Sequence, residues 1–238
     1  LRVSDPGTTD GLPTIVTKLV FKSFGLLTDV PFNKAIEGFV LWVNDNEVEI
    51  SEASITSTTI TISIAEGNFI VENGTTADVT LGVFLKKGGQ IDGSTVCLYV
   101  SPKSHGWETS PLGSGFLKEF EAGVVGPTMQ IDAIATTLSF VEQPFLISEA
   151  TTFSLSVAAT DEFGNKDVDA SGIVNLSLDF GAGSFTTQSI NLPLENGLAL
   201  WDDVRVYNTG RYSFAGTTYF IQEVTALSKP IWCGVSSY

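Results

Sequence analysis

The chain has 238 residues, 43% of them hydrophobic, with 23 glycines, 9 prolines and a formal charge of −15 from 12 basic and 27 acidic side chains. That length suits two domains of roughly 100–150 residues, and the abundance of Thr, Val, Ile and Phe favours sheet, because β-branched and aromatic side chains lose χ1 freedom in a helix. The acidity opposes phosphate backbones and anionic membranes, which excludes nucleic acid as a partner, and it attracts cations, so divalent ions are the small partners to expect, with a solvated acidic surface as the simpler explanation.

The chain opens on strand-like "LRVSD" and then "SDPGTTDGLP", residues 4–13, whose two prolines, two glycines and two aspartates are turn composition. Residues 1–13 are expected to be the end of a preceding strand and an inter-domain joint. "TIVTKLVFKSF" alternates with a period of two, the mark of a half-buried strand. "TDVPFNKAIEGF" predicts one short helical turn: Thr28 or Asp29 as cap, Pro31 in the first turn and Gly38 as the stop. Short strands follow in "FVLWVND", "EVEISEASI", "TTITISIA", "NFIVENG", "ADVTLGVFLKK" and "STVCLYVSP". The pattern lapses in "SPKSHGWETSPLGSG", which reads as a long loop carrying His105 and Trp107.

A boundary is expected between Ala133 and Thr136, so the first β-module spans 14–135 and the second 136–230, with 231–238 beginning a further segment. Regular short strands separated by turns mean antiparallel sheets and not alternating β-α units. The fold class is therefore all-β, two tandem antiparallel β-sandwich domains with one helical turn in the first. No run of eighteen apolar residues exists, so no membrane insertion is expected in this segment.

Asp161, Glu162, Asp167 and Asp169 crowd "TDEFGNKDVD". The Gly164-Asn165 pair suits a turn, which is the simplest reading. Calcium is the second, since it takes six to eight oxygens at about 2.3–2.6 Å and these carboxylates could supply several. Paired catalytic carboxylates need a cleft of roughly 5–9 Å between them, which neighbours on one turn do not provide. Asp5 and Asp10 are a second candidate calcium set. Trp107 and His105 are candidate ligand contacts, because an exposed indole face can stack on a sugar ring. No Gly-x-Ser-x-Gly elbow accompanies Ser104, His105 and Glu108, so no nucleophilic triad is read there. Cys97 and Cys233 lack metal-ligand spacing; Cys97 reads as a buried thiol, and Cys233 has no reading.

The ordered set "TTLSFVEQP", "FSLSVAATDEFGN", "VNLSLDFGAGSF", "ENGLALWDDVRV" and "GRYSFAG", residues 136 to about 228, resembles bacterial immunoglobulin-like repeat domains of large surface proteins. Residues 4–135 resemble the β-rich modules that alternate with such repeats in giant adhesins of gliding bacteria with type IX secretion. The resemblance implies a non-catalytic structural or adhesive segment at the bacterial cell surface and supplies no active-site residues. Its implied partners are neighbouring repeat domains of the same chain, surface polysaccharide or other surface proteins. The alternative is a carbohydrate-binding accessory module of a secreted glycoside hydrolase.

Overall fold

The computed structural model describes residues 1–7, 10–181, 183–220 and 222–234, with Leu26 through its backbone alone. These form two compact units, Leu1–Gln90 with Ser94–Ile131, and Ile91–Gly93 with the chain from Asp132 onward. Among the described residues no helix is long and apolar enough to cross a membrane.

The first unit contains β1 (Arg2–Ser4), β2 (Thr14–Ser23), α1 (Phe32–Ala35), β3 (Ile36–Val43), β4 (Asn46–Glu47), β5 (Ile50–Ile55), β6 (Thr59–Ile64), β7 (Ile70–Val71), β8 (Thr76–Leu85), β9 (Thr95–Val100), β10 (Glu108–Thr109) and β11 (Val124–Gln130). One sheet runs β1-β8-β3-β4 and the other β11-β9-β2-β6-β5, with β7 and β10 also pairing with β2. Both are antiparallel. In β6 the alternation is strict: Ile60, Ile62 and Ile64 face inward between threonines and a serine. They join Leu19, Phe21, Phe32, Leu41 and Phe69 in one core, where burial of each large side chain contributes about 1.5–3 kcal/mol.

Two expectations for this unit change. The N-terminal residues are not a joint: β1 hydrogen-bonds along β8, Val3 is in the core, and the Asp5 N–H donates to the Thr75 carbonyl at 2.9 Å. Residues 1–7 and 10–13 are thus an edge strand and connection of the first sandwich, while Thr8 and Thr9 lie outside the described residues. The helical turn forms, but neither Thr28 nor Asp29 caps it. Pro31 holds the cap position, the Asp29 carboxylate accepts from Thr95 N–H and Oγ1, and Thr28 Oγ1 bonds Cys97 N–H and carbonyl. The turn ends at Ile36, whose extended backbone starts β3 before Gly38 is reached.

The second unit contains β12 (Thr137–Glu142), β13 (Leu146–Ser148), β14 (Phe153–Thr160), β15 (Ile173–Phe180), β16 (Phe185–Thr186), β17 (Asn191–Pro193), β18 (Leu198–Val206), β19 (Gly210–Tyr219), β20 (Glu223–Leu227) and β21 (Ile231–Gly234). Its sheets run β12-β14-β18-β16 and β13-β21-β19-β15-β17, with β20 also on β19. In chain order this is the A-B-E-D and G-F-C layout of an immunoglobulin-like sandwich, including a first strand that switches sheets to run parallel to the last. Tyr212, fully buried at the start of β19, donates its hydroxyl to the Asn208 carbonyl at 2.7 Å, the tyrosine corner of such domains. Phe214, two residues on, fills the position that antibody domains give to a disulfide cysteine, and it packs edge-on against Phe153 and Phe185.

The last strand does not stop at Pro230. Both β20 and β21 pair with β19, at 215–219 and 210–212, so they are two halves of one strand. Pro230 interrupts it because a proline has no N–H to give the ladder. Residues 231–234 therefore complete the second sandwich and do not start a new segment; 235–238 lie outside the described residues. Cys233 has its place here, buried on β21 in the core, and Cys97 is likewise a buried free thiol.

Candidate metal centre

The acidic stretch after β14 divides into two parts with different roles. Asp161 closes the turn: its carboxylate accepts from Phe163 N–H at 2.9 Å, Asn165 N–H at 2.9 Å and Asn165 Nδ2 at 2.7 Å. Gly164 takes φ +82°, and Asp161 N–H returns a bond to the Asn165 carbonyl. Burial works to push the Asp161 carboxyl up, but the hydrogen bonds from the Asn165 side chain and the turn amides outweigh it and bring it below the ordinary carboxylate range. A depressed carboxyl stabilises the fold above its unfolded value and loses that contribution as pH falls through the folded one. Asp161→Ala is therefore expected to cost the second unit about 1–2 kcal/mol near neutrality. The difference from wild type should close in chemical melts taken below about pH 4. A difference that persists unchanged at pH 3 would contradict the role given to the carboxylate.

Glu162 is exposed on the same turn. Asp167 is buried; one carboxylate oxygen accepts from Ala135 N–H at 2.8 Å, the other from Asp169 N–H at 3.2 Å. Beside it stands Asp92, whose oxygens accept from Ala133 N–H and Val168 N–H, both at 2.8 Å. One oxygen of each of Asp92, Asp167 and Asp169 lies within 4.8 Å of the other two. Two ligands on opposite sides of a calcium ion stand about 4.6–5.2 Å apart, so this spacing can receive such an ion with small adjustment. The Asp169 carboxyl is held above its ordinary range, first by its hydrogen bond and charge contact with Asp167, then by burial and by the charges of Asp92 and Asp132.

Asp161 and Glu162 are thus separated in role from Asp167 and Asp169, and Asp92 completes the set from far upstream. The other candidate acids form no such group among the described residues. Asp5 is buried and accepts from Thr14 Oγ1 at 2.8 Å and Gly7 N–H at 3.0 Å, which fastens the β1–β2 connection. Asp10 accepts from Leu12 N–H at 3.1 Å and from Ser114 Oγ. Asp5 and Asp10 are loop fasteners inside the first unit.

The candidate ligand contacts do not form an open platform. Trp107 is 6% exposed, with Phe21, Phe116 and Phe120 packed edge-on around it and its indole N–H donating to the Val20 carbonyl at 2.9 Å. His105 is also buried. Its Nδ1 accepts the Trp107 N–H at 3.0 Å, so Nε2 carries the proton and donates to the Leu117 carbonyl at 3.0 Å. The reason is local: the loop packs Phe116 and Phe120 around a buried Trp107 and His105, and backbone groups satisfy the polar atoms of the two buried rings.

No protein-family profile matches the chain, and no curated protein does. Among solved structures it is similar to a glycosyl hydrolase family 2 member from Bacteroides cellulosilyticus, at 9% identity and TM-score 0.36, over 82% of this chain and 21% of that one. The chain thus spans about a fifth of that hydrolase's length. Domains 4 and 5 of the S-layer protein SbsC match at 16% identity and TM-score 0.32, covering 65% of this chain and 90% of theirs. The D00-D0 domain of intimin matches at 8% identity and TM-score 0.34, covering 84% and 86%. One of these three, SbsC, is a surface-layer protein by name. At such identities and scores the similarity carries no functional information.

Proposed function

We propose that the two sandwiches are a non-catalytic structural or adhesive segment of a large secreted bacterial cell-surface protein, of the kind that alternates modules in giant adhesins of gliding, type IX-secreting bacteria. Calcium, held by Asp92, Asp167 and Asp169, secures the loops of the second unit. The observation that supports this reading is the gathering of these three carboxylates while Asp5, Asp10, Asp161, His105 and Trp107 are engaged in internal contacts. Side chains spent on loop closure serve rigidity, and a stalk of rigid modules projects weak contacts that add through effective concentration.

Thermal melts with calcium and with chelator test the ion directly. The second unit's midpoint is expected to rise with calcium, since binding adds RT ln(1 + [L]/Kd) to its unfolding free energy, about 2.7 kcal/mol at a hundredfold excess over Kd. Asp169→Asn supplies the converse. A carboxyl raised in the fold contributes stability below its unfolded value and loses it as pH climbs through the folded one, so at neutral pH the ionised Asp169 strains the cluster. In chelator the variant should melt higher than wild type, and in calcium it should show little or no rise. Equal midpoints with and without calcium in the wild type would reduce the cluster to solvated acid.

The second reading, a carbohydrate-binding accessory module of a secreted glycoside hydrolase, shifts from Trp107 to a different tryptophan: Trp232 is 47% exposed on β21.

A further inference from the structure

We infer that the outer face of the six-stranded sheet of the second unit binds a neutral polysaccharide, with Trp232 as the stacking surface and Arg211 as its hydrogen-bonding partner. This names a ligand class for the adhesive role proposed above and rests on that reading.

Strand alternation fixes the face. Ile231 and Cys233 are buried in the core, so Trp232 between them points outward. Its register partners are Arg211 on β19 and Leu146 on β13, which sets the indole between an aliphatic and a cationic side chain on neighbouring strands. Tyr212 points inward, so Arg211 also stands outside, and its guanidinium lies 5.8 Å from the centre of the Phe180 ring. A register shift between Leu178 and Phe180 leaves both Asp179 and Phe180 exposed, and Asp179 accepts from Ser213 Oγ at 2.7 Å on the same face. Two exposed aromatic rings are therefore interleaved with a guanidinium fork and a fixed carboxylate.

Each part suits a pyranose. The apolar faces of the sugar stack on the indole, while vicinal hydroxyls take the N–H groups of an Arg and donate to a carboxylate. Cation–π contact with Phe180 holds the guanidinium in place before any ligand arrives, which lowers the ordering cost of binding. Charge narrows the ligand to a neutral one. The chain carries −15, so a polyuronate or a phosphate polymer meets repulsion, as does a second copy of the chain. Among the described residues the ion pairs are Arg2–Asp78 and Lys18–Glu108, and Arg211 is in neither.

The test is a titration of the full chain with laminarin, mannan and dextran, followed by tryptophan emission and by affinity electrophoresis, with polygalacturonate as the anionic control. At least one neutral polymer is expected to change the emission, and Trp232→Ala should weaken that binding by about tenfold or more. Arg211→Gln should weaken it by roughly threefold to tenfold. Both substitutions sit on a solvent face, so the melting midpoint should move little. Failure of all three neutral polymers to bind overturns the inference, as does tighter binding of polygalacturonate. A neutral polymer that binds Trp232→Ala as well as wild type also overturns this site, while the adhesive reading then stands on another surface. Sedimentation showing a dimer that Trp232→Ala dissociates would assign the face to self-association and overturn the inference too.

Discussion

Gly197→Ala is expected to cost the second unit about 4 kcal/mol or more, and to abolish any calcium response with it. Asn196 and Gly197 form a two-residue hairpin turn with φ of +51° and +70°, closed by Glu195 N–H to the Leu198 carbonyl at 2.8 Å and the reverse bond at 3.1 Å. Positive φ at both central residues is the type I′ turn that Asn-Gly serves. At Gly197 a second constraint is added: a Cβ would stand 1.9 Å from the carbonyl oxygen of Asp167, which is backbone and cannot swing aside. Relief requires moving either the hairpin, whose Gly197 carbonyl accepts from Ala159 N–H at 2.9 Å, or the segment that positions Asp167 beside Asp92 and Asp169. Gly164 is the matched control. It has φ +82° with nothing within 4 Å of a built Cβ, so Gly164→Ala carries only left-handed strain, about 1–2 kcal/mol. Urea titrations of the two variants measure the difference as a shift in midpoint at constant slope. A Gly197→Ala protein within 1 kcal/mol of Gly164→Ala, on the order set by that strain, would show that the close approach is not a constraint.

Local patterns carried much of this fold because sheets write their inward face into a period of two. "TITISI" reads directly as β6, and "GRYSFAG" places Tyr212 and Phe214 two apart on the buried face of β19. What the patterns could not carry depends on contacts distant in sequence. In β2 the alternation breaks: Val16 is buried, yet three and five residues later Leu19 and Phe21 are buried too, beside a register shift opposite Glu108 and Thr109 of β10. The roles of residues 1–13 and 231–234 were illegible for the same reason, since a short strand, whether at an edge like β1 or between two neighbours like β21, is defined by its partners and not by its own three or four residues. Asp92 is the clearest case. It sits in "GGQIDGST", a stretch with the composition of a turn, and only the fold brings it beside Asp167 and Asp169. Sequence crowding pointed to Asp167 and Asp169 together with Asp161 and Glu162, and the latter two neighbour the cluster along the chain without belonging to it.

Trp107→Ala should be the second large loss, about 3–5 kcal/mol, and confined to the first unit. Truncation removes the ring around which Phe21, Phe116 and Phe120 stand at 5.7–6.0 Å, and it leaves the buried Val20 carbonyl without its indole donor. The loop around it cannot collapse cheaply into the gap. His105 is stacked on Phe120 at 4.0 Å and bonded to the Leu117 carbonyl, while Gly106, at φ +73°, is pressed against Val20 so closely that a Cβ would meet Cγ2 at 3.0 Å. Trp107→Phe separates the two contributions: it keeps an aromatic ring and loses the N–H, so it should cost the smaller part, about 1–3 kcal/mol. The two units have separate cores, so in urea the first unit's transition should move while the second unit's stays where it is in wild type. Hydrogen exchange should quicken in the loop from Ser101 to Gly123 and in β2 alongside it. If the Ala variant instead keeps its stability and loses affinity for a polysaccharide, Trp107 is a binding residue after all and the buried indole described above is not its resting state. If stability falls as expected, loss of sugar binding in that variant carries no information about the ligand, which leaves Trp232 as the tryptophan on which binding must be tested.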